Sequence, residues 1–392
     1  MLSQKTPASR SPQLTSEQLA LWLSEQLNPE ANVNLIVRKY TLLGPLKEQA
    51  LRISLDKILN RHDALRACVQ WNRELPAQFL LAAKHFPLRT LEPGDNKDKI
   101  QEFCSHSINL FSELPCAGLL VNEGKDQSTL FLRFHHLFMD GVSLGVFLNE
   151  LSREYRHIVS GASSRSVVPM AASFLDFAST SRLVEENSFP MCNETKLARI
   201  CGFSLSQDER QKINQLAREH GSSPSALILA VFASILKSPF NDGRVQIGVP
   251  YANRQSSTFA RTIGCFTKTV VFEARPQQEN WKDKIRGASQ FFFSLMRGGV
   301  KRKEESSIDA LFVVRPPAAE QLDMGDIKVK GEGRTVYQSQ FPLCLEWIAG
   351  PSSSELQWQY HCDEFSTTDI ENLQDSLLAS LAEIERELHQ HV

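Results

Sequence analysis

No stretch of the 392-residue sequence approaches the ~18 consecutive apolar residues that a membrane-crossing helix needs. Residues 1–12 form a polar leader without the apolar segment of a signal peptide. The expectation is therefore a cytoplasmic protein that enters no membrane. Basic runs are scarce as well. Lys301-Arg302-Lys303 stands alone and is followed at once by Glu304-Glu305, and with a formal net charge of −2 this argues against nucleic acid as a partner. The eight cysteines are scattered and form no C-x-x-C pair. Cys68, Cys265 and Cys344 are expected inside apolar strands, where a thiol behaves as a small hydrophobe, and none is a candidate nucleophile. Internal repeats of short period are absent.

What the sequence does contain is concentrated in His135-His136-Leu137-Phe138-Met139-Asp140-Gly141. From Ser128 onward Leu130, Leu132 and Phe134 alternate, the period of a half-buried strand, and His136 continues that face. Phe147, Leu151, Tyr155 and Ile158 then recur at helical spacing, so the motif reads as strand, tight loop, helix. An imidazole with an ordinary pKa of about 6.5 is mostly neutral at pH 7 and can take a proton from an attacking amine or hydroxyl. Two other readings compete. A metal site would need a third ligand at a familiar spacing, which is missing, so no metal is expected. Satisfied core histidines are the second alternative.

At 392 residues the chain exceeds what one core usually serves, so two lobes are expected: 13–180 with the histidine motif and 199–392, joined by a linker at 181–198. Thr15 and Gln18 form a capping-box pattern ahead of Leu19, Trp22, Leu23 and Leu27. Leu51, Leu55, Ile58 and Leu59 mark a second helix leading to the strand around Cys68-Val69. Further on, Ser206 with Glu209 opens a helix that stops at Gly221, and Ser223-Pro224 opens an apolar one before the strand Val245–Val249. Ser366 with Asp369 caps a closing helix striped by Ile370, Leu373, Leu377, Leu381, Ile384 and Leu388.

Several motifs around these elements carry a family resemblance. Leu14-Thr15-Ser16-Glu17-Gln18-Leu19-Ala20-Leu21-Trp22, Asn60-Arg61-His62-Asp63-Ala64-Leu65-Arg66, the His135–Gly141 motif, Phe174-Leu175-Asp176-Phe177-Ala178, Val249-Pro250-Tyr251-Ala252-Asn253-Arg254 and Ile263-Gly264-Cys265-Phe266-Thr267-Lys268-Thr269 occur in one order. In that order the sequence resembles the condensation domains of nonribosomal peptide synthetases, within the thioester-dependent acyltransferases that share His-His-x-x-x-Asp-Gly. The resemblance implies a mixed α/β fold: two chloramphenicol-acetyltransferase-like lobes in a V-shaped pseudo-dimer with a central tunnel. It makes His136 the catalytic histidine and His135 its structural neighbour. Asp140 becomes the ion-pair partner of Arg66, and Gly141 leaves room for the thioester and offers its N–H to the oxyanion.

The same resemblance implies a reaction. An acyl group would pass from the phosphopantetheine thioester of an acyl or peptidyl carrier protein to an amine or hydroxyl of a soluble or carrier-bound acceptor, as in antibiotic and other secondary metabolism. No intrinsic cofactor is expected, because phosphopantetheine arrives on the carrier, and the domain is expected to act as a monomer. The sequence departs from the family pattern mainly in its second half, where Phe266-Thr267-Lys268-Thr269 replaces Phe-Val-Asn-Thr. Ser143, Phe266, Thr267 and Lys268 are thus the tunnel and acceptor candidates; Lys268 is read either as an exposed or tunnel-rim lysine without a ligand role, the favoured alternative, or as the partner of an acceptor carboxylate. Gln290-Phe291-Phe292-Phe293 and Gln340-Phe341-Pro342-Leu343 are weak counterparts of later motifs. Alternatives are a catalytically silent domain that binds a carrier protein, and an epimerisation-type domain, which Leu144 disfavours because a tryptophan is usual there.

Overall fold

The computed structural model describes residues 12–27, 32, 34–72, 75–94, 96–161, 171–180, 196–237, 243–254, 256–275, 280–297, 308–315, 321–332, 338–349 and 354–390. In chain order the strands are β1 (Leu35–Leu43), β2 (Ala67–Asn72), β3 (Leu75–Leu80), β4 (Leu88–Leu91), β5 (Cys116–Gly124), β6 (Gln127–His135), β7 (Lys196–Ser204), β8 (Val245–Tyr251), β9 (Lys268–Ala274), β10 (Ala310–Arg315), β11 (Lys328–Glu332), β12 (Gln338–Ser339), β13 (Leu343–Ala349) and β14 (Ser354–His361). The helices are α1 (Ser16–Leu27), α2 (Glu48–Arg61), α3 (Lys97–Ser105), α4 (Gly141–Val159), α5 (Phe174–Thr180), α6 (Gln207–Glu219), α7 (Pro224–Ile235), α8 (Trp281–Met296) and α9 (Thr367–Gln390). The class is mixed α/β, as expected. Among the described residues no helix is long and apolar enough to cross a membrane.

The chain forms two compact units, and no single cut separates them. One comprises Met1–Glu185, Ser256–Phe266 and Ala318–Thr335, the other Glu186–Gln255, Thr267–Pro317 and Val336–Val392. This corrects the expectation of two continuous lobes at 13–180 and 199–392. Residues 328–332 return to the first unit because β11 pairs antiparallel with β1, from Lys39 opposite Glu332 to Leu43 opposite Lys328. Residues 263–266 return because side chains of that unit bind their backbone. Pairing across such sequence distances leaves no mark on local periodicity. Of the expected linker, 181–195 lies outside the described residues, and 196–198 is already strand β7. Residues 1–11 of the leader and Lys301-Arg302-Lys303 also lie outside them.

The first unit holds a five-stranded sheet in the order β11-β1-β6-β5-β4 and the pair β2-β3. Strand β6, expected to be half-buried, is covered on both faces. Leu130, Leu132 and Phe134 join a core with Leu51, Leu55 and Ile58 of α2 and Phe147 and Leu151 of α4. On the opposite face Phe131 packs with Leu91, Leu119 and Val121 beneath Ile100 and Phe103 of α3. Helix α1 also differs from its expected stripe. Trp22 is buried and sits edge-on to Trp71 at 5.2 Å. Leu23 and Leu27 turn outward instead, and the inner position goes to the polar Gln18.

The second unit carries a seven-stranded sheet in the order β12-β7-β14-β13-β10-β8-β9, with β10 parallel to both β13 and β8. Val245, Ile247, Phe312, Leu345 and Trp358 form one core with residues of α6, α7, α8 and α9. Local capping is as expected. Ser206 and Glu209 form a complete capping box, Pro224 begins α7, and the Ser366 hydroxyl accepts from the Asp369 N–H. Residues 226–233 of α7 are all buried, and Ile370, Leu377, Leu381 and Ile384 face the core from α9. Cys68 and Cys344 are buried in β2 and β13; Cys265 is buried too, but in irregular chain rather than a strand.

Candidate functional site

Strand β6 ends at His135, so His136 does not continue its face. His136–Phe138 makes one turn of 3-10 helix, and Asp140 is the N-cap of α4. Every residue from Ser128 to Asp140 is buried except His136, which is half-buried, and Gly141 and Val142 beyond it are exposed. The root of His136 is fixed: its N–H donates to the Asn34 carbonyl at 2.7 Å, and its own carbonyl accepts from Met139 N–H. His136 is thus the one residue of this run that keeps part of its surface exposed, although its Nδ1 is itself buried, and partial access is what a proton-transfer residue needs.

His135 has the opposite character. Its Nδ1 accepts from the Leu137 N–H at 3.2 Å, which puts the ring proton on Nε2, and Nε2 lies 2.9 Å from Glu25 Oε2. Burial pushes the Glu25 carboxyl up, but its contacts with His135 and Asn34 outweigh this and hold it below the usual carboxylate range. Gln18 closes the capping box with Thr15 and sends Nε2 to the Leu137 carbonyl at 2.9 Å. Helix α1 thus braces the histidine turn. Sequence reasoning found Gln18 only as a cap and missed Glu25 and Asn34, since no local pattern links them to residues more than a hundred positions away.

The expected Asp140–Arg66 ion pair is absent among the described residues. Asp140 is fully buried; Oδ1 accepts from Ser143 N–H at 2.7 Å and Oδ2 from Phe266 N–H at 3.0 Å. Capping the helix and holding an incoming amide give each carboxylate oxygen a partner. Arg66 donates from Nε to the Leu59 carbonyl at the end of α2. The arginine that meets carboxylates in this region is the half-buried Arg61, which reaches Glu150 at 2.5 Å and Glu154 at 2.8 Å on α4, with His62 beside it at 3.2 Å from Glu150.

Two of the four acceptor candidates are also reassigned. The Ser143 hydroxyl is sealed, donates to the Gly264 carbonyl at 2.7 Å and accepts its N–H at 3.0 Å. Phe266 is buried among Phe174, Phe177 and Phe259, with ring centroids 5.1, 4.6 and 5.8 Å away. Both hold residues 263–266 in place and are too enclosed to meet an acceptor. Thr267 and Lys268 belong to the second unit, where half-buried Lys268 opens β9 opposite Tyr251.

The motifs interlock at Gly264. A Cβ there would fall 2.1 Å from the Phe174 ring; Asp63 holds the backbone of Phe174 and Leu175, and the buried ring is packed against Phe177 and Phe266. Gly264→Ala is therefore expected to destabilise the first unit by at least the ~1–3 kcal/mol typical of overpacking. Gly141→Ala, with no atom within 4 Å of its Cβ, should leave stability unchanged; urea unfolding of the two variants checks the contrast.

Comparison with known proteins extends over the whole chain. The family model described as the condensation domain matches residues 9–189 and 193–392. Cyclosporin synthetase of Tolypocladium inflatum is 24% identical over 373 residues, covering 84% of this chain and 2% of the relative. The chain spans only about 2–4% of the length of the first curated relatives it matches. The first condensation domain of the calcium-dependent antibiotic synthetase superposes with a TM-score of 0.74 at 16% identity, covering 96% of this chain and 97% of that one. The X-domain from teicoplanin biosynthesis gives 0.75 at 16% identity, covering 98% and 97%. With the family model matched over nearly the whole chain, this chain belongs to the condensation domain family.

Proposed function

We propose that this condensation domain transfers an acyl group from the phosphopantetheine thioester of a carrier protein to the amine or hydroxyl of an acceptor, forming an amide or an ester. The observation that supports this reading best is that His136 alone of the buried run 128–140 stays partly exposed, next to the exposed start of α4. In the step proposed, the acceptor N–H or O–H attacks the thioester carbonyl and passes its proton to a His136 ring nitrogen. The tetrahedral oxyanion lies at the N-terminus of α4, where the helix dipole and the Gly141 N–H favour negative charge. The C–S bond then breaks, and the leaving thiolate takes the proton back from the imidazolium. The carrier thiol is thereby released without any oxidant or metal.

In this reading the donor carrier is a macromolecular partner and the domain holds no cofactor of its own. The test is incubation of the purified protein with acyl-loaded carrier proteins and a panel of amines and alcohols, following product mass. Product formation supports transfer. Carrier binding without product, for any acyl chain or acceptor, would instead identify a silent binding domain. Gly141→Val adds a sharper readout. Its side chain would enter space the protein leaves open, so kcat/KM is expected to fall by about 10²-fold through misplacement of the acyl carbonyl, with the unfolding midpoint unmoved.

A further inference from the structure

His62 closes α2 in extended conformation and is 1% exposed. Its ring bridges two segments far apart in sequence. Nε2 lies 3.2 Å from Glu150 Oε2 in the third turn of α4, and Nδ1 accepts the Ile263 N–H at 3.4 Å. A backbone N–H can only donate, so Nδ1 carries no proton and the ring N–H points at Glu150. The tautomer is thus dictated from both sides. Glu150 is itself steadied by Arg61, the residue preceding His62.

Ile263 begins the strip whose next amides go to Ser143 Oγ and Asp140 Oδ2. Asp140 in turn caps the helix end that presents the Gly141 N–H beside His136. We infer that His62 is a positioning residue of this site: through Ile263 it holds residues 263–266 against the first turn of α4 and so fixes the orientation of the Asp140 cap. This rests on the acyl-transfer reading for its effect on rate, but not for its effect on the strip. His62 touches no substrate; it aligns the N–H groups that would.

Two substitutions separate the ring's two bonds. His62→Asn keeps an acceptor near the Nδ1 position and loses the reach to Glu150, whereas His62→Gln keeps a donor near Nε2 and loses the acceptor for Ile263. Amide exchange at Ile263, Gly264 and Phe266, followed in the intact protein, is expected to accelerate about tenfold in His62→Gln, the scale of one neutral hydrogen bond lost. In His62→Asn it should stay near the wild-type rate even though thermal stability falls. Turnover should follow exchange, with kcat reduced about tenfold in His62→Gln, KM for the acyl carrier little changed, and kcat largely retained in His62→Asn. Wild-type exchange at these amides in His62→Gln would overturn the inference. So would loss of kcat in both variants in proportion to their loss of stability. If the wild-type protein transfers no acyl group, the reaction assigned above fails, while the exchange measurements still decide whether His62 holds the strip.

Discussion

Replacing His136 with alanine is expected to lower kcat by about 10²–10⁴-fold, the range supplied by one positioned acid or base, while the unfolding midpoint stays in place. The side chain is half-buried, and the contacts that fix this turn, Asn34 carbonyl to His136 N–H and Gln18 to the Leu137 carbonyl, do not involve the imidazole. His135→Ala should behave in reverse. It would leave the Leu137 N–H without its acceptor and Glu25 without its ring donor, at a cost of about 1–3 kcal/mol for the buried group left unsatisfied. Acyl-transfer kinetics with thermal and urea unfolding of both variants test the division. Retention of activity within tenfold in His136→Ala would remove the base role and leave the residue as a guide for the nucleophile.

Arg61→Ala is expected to be the most damaging single change to the first unit, costing about 3–5 kcal/mol. It removes the guanidinium shared by two enclosed carboxylates, Glu150 and Glu154, 7% and 1% exposed at their side chains, and leaves them only His62 and Lys57. Lysine should not rescue the site, since one ammonium cannot span two carboxylates as the planar fork does. The loss should also depend on pH in a defined direction. Burial pushes both carboxyls up, but it is outweighed by His62 and then Arg61 at Glu150 and by Arg61 and Lys57 at Glu154, so each sits below the ordinary 4.5. Carboxylates depressed in the folded state contribute stability that is complete above the unfolded pKa and is withdrawn as pH falls through the folded one. The gap between wild type and Arg61→Ala is therefore widest near neutral pH and narrows below ~4. Urea unfolding at the two pH values checks it, and an equal gap at both would show that Arg61 acts through packing alone.

Legibility from sequence followed range. The boxes at Thr15–Gln18, Ser206–Glu209 and Ser366–Asp369 were readable because a cap joins residues three apart. The strand, turn and helix around His136 were readable for the same reason, each being a local period. Errors arose where the partner was distant. Alternation on β6 assigned residues to faces but could not show that α3 covers the second one, and the apolar spacing of α1 could not foresee that Gln18 would take the buried position. The family pattern pairs Arg66 with Asp140, whereas Arg66 donates to the Leu59 carbonyl and it is Arg61 that meets carboxylates, Glu150 and Glu154, across the packed faces of α2 and α4.

The identity of the chemical groups and the succession of strand, tight loop and helix around the histidines follow from short-range rules that the chain carries in itself. The family likewise follows from the order of its motifs. Only the folded molecule decided what Asp140 binds. Its partner amide, Phe266, lies 126 residues away, and a hydrogen bond over that distance forms only after packing has overcome the entropy of closing the intervening chain.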